Sequence, residues 1–276
     1  MIKKASEKIG PPVVVDTHLF RFGKETLNVH VLGKDLDWNL GGLPSVRKGL
    51  YNLEGSKEYV DAMAHIDLLS EMFGFKRLLV PRGVDNNARF AAFGHGTYDI
   101  SLFSDQRNVC VLKNSLSADA FEIPSGFSCL VRSADCPTVI AWHPSGTVVG
   151  GHASRDSLLC TEEVLEKVVP KGRTYRTMVH AMMNPLNQFS AHEITVHISC
   201  GIAPEHFIHH PKDPKYGRYN KALARYFREK KWSDCLDNDG RLNLVEIITR
   251  QFEECGVPRK KMSLDTLCTF SGPGLW

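Results

Sequence analysis

Residues 134–155 read Ala134-Asp-Cys-Pro-Thr-Val-Ile-Ala-Trp-His-Pro-Ser-Gly-Thr-Val-Val-Gly-Gly-His-Ala-Ser-Arg155. Two apolar, β-branched runs, 138–142 and 147–149, flank His143-Pro-Ser-Gly146, which places Pro and Gly where turn backbones favour them. The pattern predicts a β-hairpin. With the turn centred near Pro144, Cys136 falls opposite His152. Opposed residues of an antiparallel pair share a face, with Cβ atoms about 4.5–5.5 Å apart. A thiolate and an imidazole so placed can share one metal ion or one proton.

The rest of the chain sets the class around this hairpin. Its 276 residues suffice for a sizeable core. A composition of 42% hydrophobic and 24% charged residues excludes disordered and fibrous proteins. The net charge of +3 calls for neither nucleic acid nor an anionic membrane as partner, and a site for phosphate needs only a local basic cluster. No apolar run approaches the roughly 20 residues of a membrane span, and Met1-Ile-Lys-Lys-Ala-Ser-Glu-Lys is charged with no apolar signal core after it. A cytoplasmic protein is expected. Eight cysteines without a CxxC pair fit reduced thiols better than a disulfide framework.

Along the chain, runs near residues 13–15 and 27–32 predict strands, and 77–80 another. Val60, Met63, Ile66 and Leu69 recur at helical spacing, between Ser56 as cap and Gly74 as stop. Strands are expected at 108–113, 127–133, 192–200 and 263–270. Helices are expected at 156–169, ended by Pro170, at 173–183, and at 242–255 with Gly256 as stop. The basic tract 209–231 reads as a solvated helix face carrying Leu223, Tyr226 and Phe227, rather than as a nucleic-acid patch. No repeat or low-complexity linker appears, so a single domain mixing strands and helices is expected.

Cys136 and His152 support three readings at this point. They could hold a catalytic zinc, which takes three protein ligands from the nitrogen, sulfur and oxygen set; they could form a nucleophile and base without metal; or they could be a buried cysteine and a strand-end histidine with no joint role. His95 lies between two glycines in Phe93-Gly-His-Gly-Thr, where the backbone can turn sharply and bring the ring near another segment, though a lone loop histidine is more often solvated than ligating. Two apparent motifs fail on spacing. His192-Glu193 and His197 are five residues apart, where the zinc-protease helix needs four. Asp237, Asp239, Gly240 and Glu246 fit a calcium loop only with Cys235 at its first, normally acidic, position.

The segments Ala134-Asp-Cys-Pro-Thr-Val and Val148-Val-Gly-Gly-His152-Ala resemble the signature of the laccase-domain family. These are cytosolic zinc enzymes, once labelled polyphenol oxidases and later understood as purine nucleoside phosphorylases. The likeness continues, in order, through Asn52-Leu, His95-Gly-Thr, Ser117-Ala-Asp119-Ala, the hairpin, Gly201-Ile-Ala-Pro and Leu267-Cys268-Thr269. The resemblance implies zinc held by His95, Cys136 and His152. It implies catalytic roles for Cys136, His152 and Arg155, and substrate contacts by Arg47 and Asn52. The implied fold is α+β, one domain over 1–276 with two packed mixed β-sheets flanked by helices, an αββα-like sandwich. The implied reaction is phosphorolysis of adenosine, inosine, guanosine and methylthioadenosine, with adenosine deamination beside it.

The chain departs from the family pattern twice. Cys136-Pro137 lacks the family's intervening Leu, and His152-Ala-Ser-Arg155 is one residue shorter than the family's segment, which carries Gly-Trp-Arg after that His. Two other function classes therefore stand beside the enzyme: a Cys-His hydrolase or deamidase with Cys136 as nucleophile and His152 as base, and a non-catalytic descendant. Multicopper phenol oxidation needs more coppers than two histidines and a cysteine can hold.

Overall fold

The computed structural model describes residues 14–22, 25–32, 57–81, 88–103, 107–112, 116, 118–131, 133, 135–159, 164, 174–199, 201–207, 211–265 and 267–271. In chain order the principal elements are β1 (Val14–Phe22), β2 (Glu25–Leu32), α1 (Lys57–Phe73), β3 (Arg77–Val80), β4 (Phe90–Ala91), β5 (Tyr98–Phe103), β6 (Arg107–Leu112), β7 (Ala120–Ile123), β8 (Ser128–Cys129), β9 (Thr138–Trp142), β10 (Val148–His152), α2 (Arg155–Leu158), α3 (Met178–Met183), β11 (Thr195–Ile198), α4 (Gly217–Glu229), α5 (Leu244–Glu254) and β12 (Met262–Leu264). Hydrogen bonds assemble a six-stranded mixed sheet of order β12-β11-β9-β10-β7-β4, a four-stranded mixed sheet β5-β6-β3-β8, and the separate hairpin β1-β2.

The expected 134–155 hairpin forms, and β9 and β10 lie in the middle of the larger sheet. Its register differs from the expectation. Trp142 pairs with Val148 and Thr138 with His152, so the turn is centred on Ser145, and Cys136 lies two residues before the ladder instead of opposite His152. The turn closes through His143 N to Thr147 O (3.0 Å) and Gly146 N to His143 O (3.0 Å), with Gly146 at φ +95°. That positive φ is open to glycine at little cost, so Gly146 rather than Pro144 sets the centre.

Every residue of β10 is buried, because both faces of the sheet are covered. On one face, Phe121, Ile123, Trp142 and Val148 meet Leu79 and Cys110 of the four-stranded sheet. On the other, Val139, Ala141, Val149, Val196 and Ile198 pack with residues of α3, α4 and α5. Two adjacent glycines show how tight this packing is. A Cβ on Gly150 would stand 2.3 Å from Phe121 Cε2, and one on Gly151 would stand 2.3 Å from Met178 Sδ. Successive strand residues face opposite sides, so one glycine admits the ring between the sheets and the other admits α3.

Helix ends follow local chemistry. Gly74 ends α1 at φ +68°, with Ile66 and Leu69 buried; the expected cap Ser56 lies outside the described residues. Asn243 caps α5 by accepting from Glu246 N (3.1 Å), and Gly256 follows its end at φ +87°. In α4, Leu223, Ala224 and Phe227 are buried while Arg218, Lys221, Arg225 and Arg228 are exposed, as the solvated-face reading requires.

Several expected boundaries move. The helix expected over 156–169 is not continuous: α2 stops at Leu158, and Leu159 is extended at φ −111°, ψ 129°. Gln251 Nε2 donates to the Leu158 carbonyl at 2.5 Å, and both Leu158 and Leu159 are buried. The helix expected over 173–183 begins only at Met178, where Thr177 caps it. The strand expected over 192–200 is a 3₁₀ turn, Ala191–Glu193, followed by β11. The strand expected over 263–270 shortens to β12, because Asp265 Oδ1 accepts from Leu267 N (2.9 Å) and turns the chain. Within the expected strand 127–133, Ser128 and Cys129 form β8 against β3, and Leu130 N donates to Leu79 O at 2.9 Å. Among the described residues no helix is long and apolar enough to cross a membrane.

Candidate functional site

β10 ends at His152 between two neighbours. On the β9 side its partner is Thr138. On the β7 side the pairing of Gly151 with Ala120, carried one residue further, sets His152 against Asp119. His152 N donates to Asp119 O at 2.8 Å, and its Nδ1 lies 3.3 Å from Asp119 Oδ1. Asp119 is fully buried and His152 is 7% exposed. Burial disfavours the imidazolium, but hydrogen bonds to Asp119 and Cys136, together with their negative charges, outweigh it and raise the His152 pKa to about 9. Asp119 and Cys136 are thus the two neighbours that favour the charged imidazole, despite the shifted register.

The cysteine segment is tied on three sides. Pro137 O accepts from Ala153 N (2.8 Å), Asp135 O accepts from Ile202 N (2.8 Å), and Ser133 Oγ donates to Cys136 O. The Gly201-Ile-Ala-Pro turn lies against it, since a Cβ on Gly201 would stand 2.5 Å from Pro137 Cγ. The Leu267-Cys268-Thr269 segment joins that turn: Gly201 bridges Cys268 in parallel, and Ala203 N donates to Cys268 Sγ at 3.3 Å. Burial works against the Cys268 thiolate, but backbone donors of Ala203, Phe270 and Ser271 hold its pKa below the usual value. Three sequence motifs thus meet around Cys136.

Arg155 opens α2, three residues after His152. Its Nε donates to Asp156 Oδ1 (2.9 Å), and its guanidinium lies over the rings of Tyr219 (4.9 Å) and Tyr216 (5.6 Å). Its Nη1 is buried and has no hydrogen-bond partner. A cation held this way keeps a donor for an anion.

The structure brings Cys136, His152 and Asp119 together, with Arg155 close in sequence. His95 sits on the exposed 93–97 turn. Among the described residues, the one group of three or more donors lying within 4.8 Å of one another is Asp16, His18 and Asp265, so His95, Cys136 and His152 are not gathered that closely. A Cβ on Gly94 or Gly96 would meet nothing within 4 Å; neither glycine is required here by close approach. Arg47 and Asn52 lie outside the described residues.

The two rejected motifs are accounted for. His192 is exposed in the 3₁₀ turn while His197 is buried in β11. Asp237 Oδ1 accepts from Asp239 N and Arg241 N, Glu246 pairs with Arg259, and Cys235 is buried, so these side chains build the turn leading into α5. Sequence reading gave Asp119 no role of its own, because its place depends on which strand lies beside β10. Its only early signal was its position in the Ser117-Ala-Asp119-Ala motif.

Comparison with known proteins agrees with this architecture. The chain is similar to the solved structures of hypothetical protein YfiH from Bacillus licheniformis (13% identity, TM-score 0.50, 75% of this chain and 71% of that one), YlmD from Geobacillus stearothermophilus (16%, 0.50, 76% and 72%) and NMB0706 from Neisseria meningitidis (11%, 0.50, 75% and 70%). At these identities the likeness is one of fold. No functionally curated protein matches the chain. Residues 95–276, which contain the hairpin and every motif that converges on it, match the family described as multi-copper polyphenol oxidoreductase laccase. That match spans more than half of the sequence, and the chain belongs to this laccase-domain family.

Proposed function

We propose that this protein is a zinc-dependent purine nucleoside phosphorylase, cleaving adenosine, inosine, guanosine or methylthioadenosine to free base and ribose 1-phosphate, with adenosine deamination as a side activity. The observation that carries the reading is the buried Asp119–His152 pair, with Cys136 among the groups that favour its charged imidazole, in a chain of this family. A thiolate and an imidazole suit zinc, and a carboxylate holding the other edge of a ligating histidine is the usual outer support of such a site. Cys136 and His152 therefore suit the metal by their chemistry, and His95 on the 93–97 turn is the third ligand in this reading. Zinc held there supplies a Lewis acid beside the bound nucleoside.

The protein's own groups do the remaining work. Arg155, with its unsatisfied Nη1, holds phosphate against the ribose, assisted by Arg47, and Asn52 orients the nucleoside. A phosphate oxygen forms the new bond to the anomeric carbon as the glycosidic C–N bond breaks. The purine leaves with that electron pair and is protonated.

Purified protein should contain zinc, one equivalent of which is lost when Cys136 is replaced by serine, and should release hypoxanthine from inosine only when phosphate is present. Full activity in protein stripped of metal rejects the proposal. The second reading, a hydrolase with Cys136 as nucleophile, His152 as base and Asp119 as orienting group, is favoured by one observation: this array is complete without His95. His95→Ala separates the two, since the hydrolase tolerates it and the zinc site does not.

A further inference from the structure

We infer that Asp16, His18 and Asp265 form a second divalent-metal site, of the zinc class, which joins the β1-β2 hairpin to the chain just beyond β12. It uses no residue of the Cys136–His152 site. Asp16 and His18 share β1, whereas Asp265 follows β12, the edge strand of the six-stranded sheet. Their donor atoms all lie within 4.8 Å of one another. His18 Nε2 stands 3.2 Å from Asp16 Oδ2 and 3.7 Å from Asp265 Oδ2. Ligands at about 2.0–2.1 Å from a tetrahedral zinc stand about 3.3 Å apart, so these separations suit atoms converging on one ion.

Two further observations set this group apart from an ordinary surface cluster. Asp265 is 8% exposed; its Oδ1 accepts from Leu267 N at 2.9 Å, but Oδ2 is buried without a hydrogen-bond partner. His18 Nε2 is likewise buried and makes no hydrogen bond, although Asp16 Oδ2 is only 3.2 Å away. The ring and the two carboxylates thus face one another at ion-pair distance without a hydrogen bond between them. Two of these atoms, His18 Nε2 and Asp265 Oδ2, are buried and costly unless something satisfies them, and a cation does so for both, with the half-buried Asp16 as the third ligand.

His197 adds a second buried histidine beside the first. It is 1% exposed, its Nδ1 lies 3.0 Å from Ser263 Oγ, and its Nε2 has no partner. Its ring centroid is 4.5 Å from that of His18. With three protein ligands such an ion would keep an open position for water, and His197 Nε2 is a buried polar atom on the neighbouring ring that still lacks a partner.

The test is metal stoichiometry and metal-dependent melting of the full chain with Zn²⁺, and with Co²⁺ as spectroscopic probe. Wild-type protein should bind two equivalents, Cys136→Ser should keep one, and His18→Ala and Asp265→Asn should each lose one. In the Cys136→Ser protein, Zn²⁺ should raise the melting temperature, and adding His18→Ala should abolish that rise. Co²⁺ in Cys136→Ser should give a nitrogen and oxygen spectrum without a sulfur charge-transfer band. If Cys136→Ser is unstable, loss of one equivalent in His18→Ala alone, with the sulfur band retained, makes the same case. A stoichiometry unchanged by both His18→Ala and Asp265→Asn overturns the inference. Loss of one of the two equivalents from Cys136→Ser together with retained nucleoside cleavage instead counts against the zinc dependence of the proposed reaction and leaves this second site standing.

Discussion

Gly201→Ala probes the link between packing and the site. The added Cβ would stand 2.5 Å from Pro137 Cγ, 2.9 Å from Cδ and 3.3 Å from N. Carbon atoms in good contact sit about 3.5–4.0 Å apart, so the two segments must separate by about 1 Å. A proline ring cannot swing aside, and its segment is held by the bonds from Ala153 N, from Ile202 N and from Thr138 N to Ser199 Oγ (2.8 Å). Relief must therefore move backbone next to Cys136. Overpacking of this kind costs about 1–3 kcal/mol, a fall of about 2–12 °C in Tm for a chain of this size. A thiol shifted by that amount exceeds the tolerance of about 0.2 Å for a metal ligand, and zinc affinity should fall about 10–100-fold. Melting in the presence of chelator reads the first effect and zinc competition titration the second. A melt within a degree of wild type refutes the packing argument. A normal melt deficit with unchanged zinc affinity refutes its coupling to Cys136.

Other expectations follow from the same structure. Asp119→Asn should weaken zinc binding about 10–100-fold while leaving the fold intact, because the amide keeps the shape but not the charge that holds His152; competition titration and a thermal melt check both parts. Gly150→Ala should destabilise by about 1–3 kcal/mol by driving Phe121 from its place, whereas Gly94→Ala, with open space around it, should stay within about 0.5 kcal/mol in denaturant unfolding. The hydrogen bond from Arg250 holds the Asp234 carboxyl below its ordinary pKa. A depressed carboxyl contributes stability above its unfolded value of about 3.9 and loses it as pH falls through the folded value. Asp234→Asn should thus be less stable than wild type at neutral pH and converge with it below pH ~4; the margin is small and salt-sensitive because the carboxylate is 39% exposed. Acid titrations of stability at two salt concentrations test this.

Much of the local structure was legible before any coordinate. β3 falls where its apolar run predicted, Gly74 and Gly256 stop helices at positive φ, and the basic tract buries Leu223 and Phe227 while leaving its charges in water. The hairpin was legible, but its register was not: Pro144 and Gly146 both invite a turn, and shifting its centre by one residue moves the cross-strand partner by two. The expected 156–169 helix is broken at Leu159 by a non-local contact, since Gln251, 93 residues away, takes the carbonyl at which α2 ends.

The order of polar, apolar and glycine residues determined by itself that the strand following Cys136 returns on one ending in His152, and that a glycine pair precedes that His. These are short-range matters of turn chemistry and side-chain size. Tertiary structure alone decided that β7 lies beside β10 and brings Asp119 to His152, that β12 runs parallel to β11 and carries Asp265 toward His18, and that His95 is exposed on its turn. Strand neighbours are chosen by the burial of whole sheet faces, a sum over residues distant in sequence, and no local pattern contains that sum.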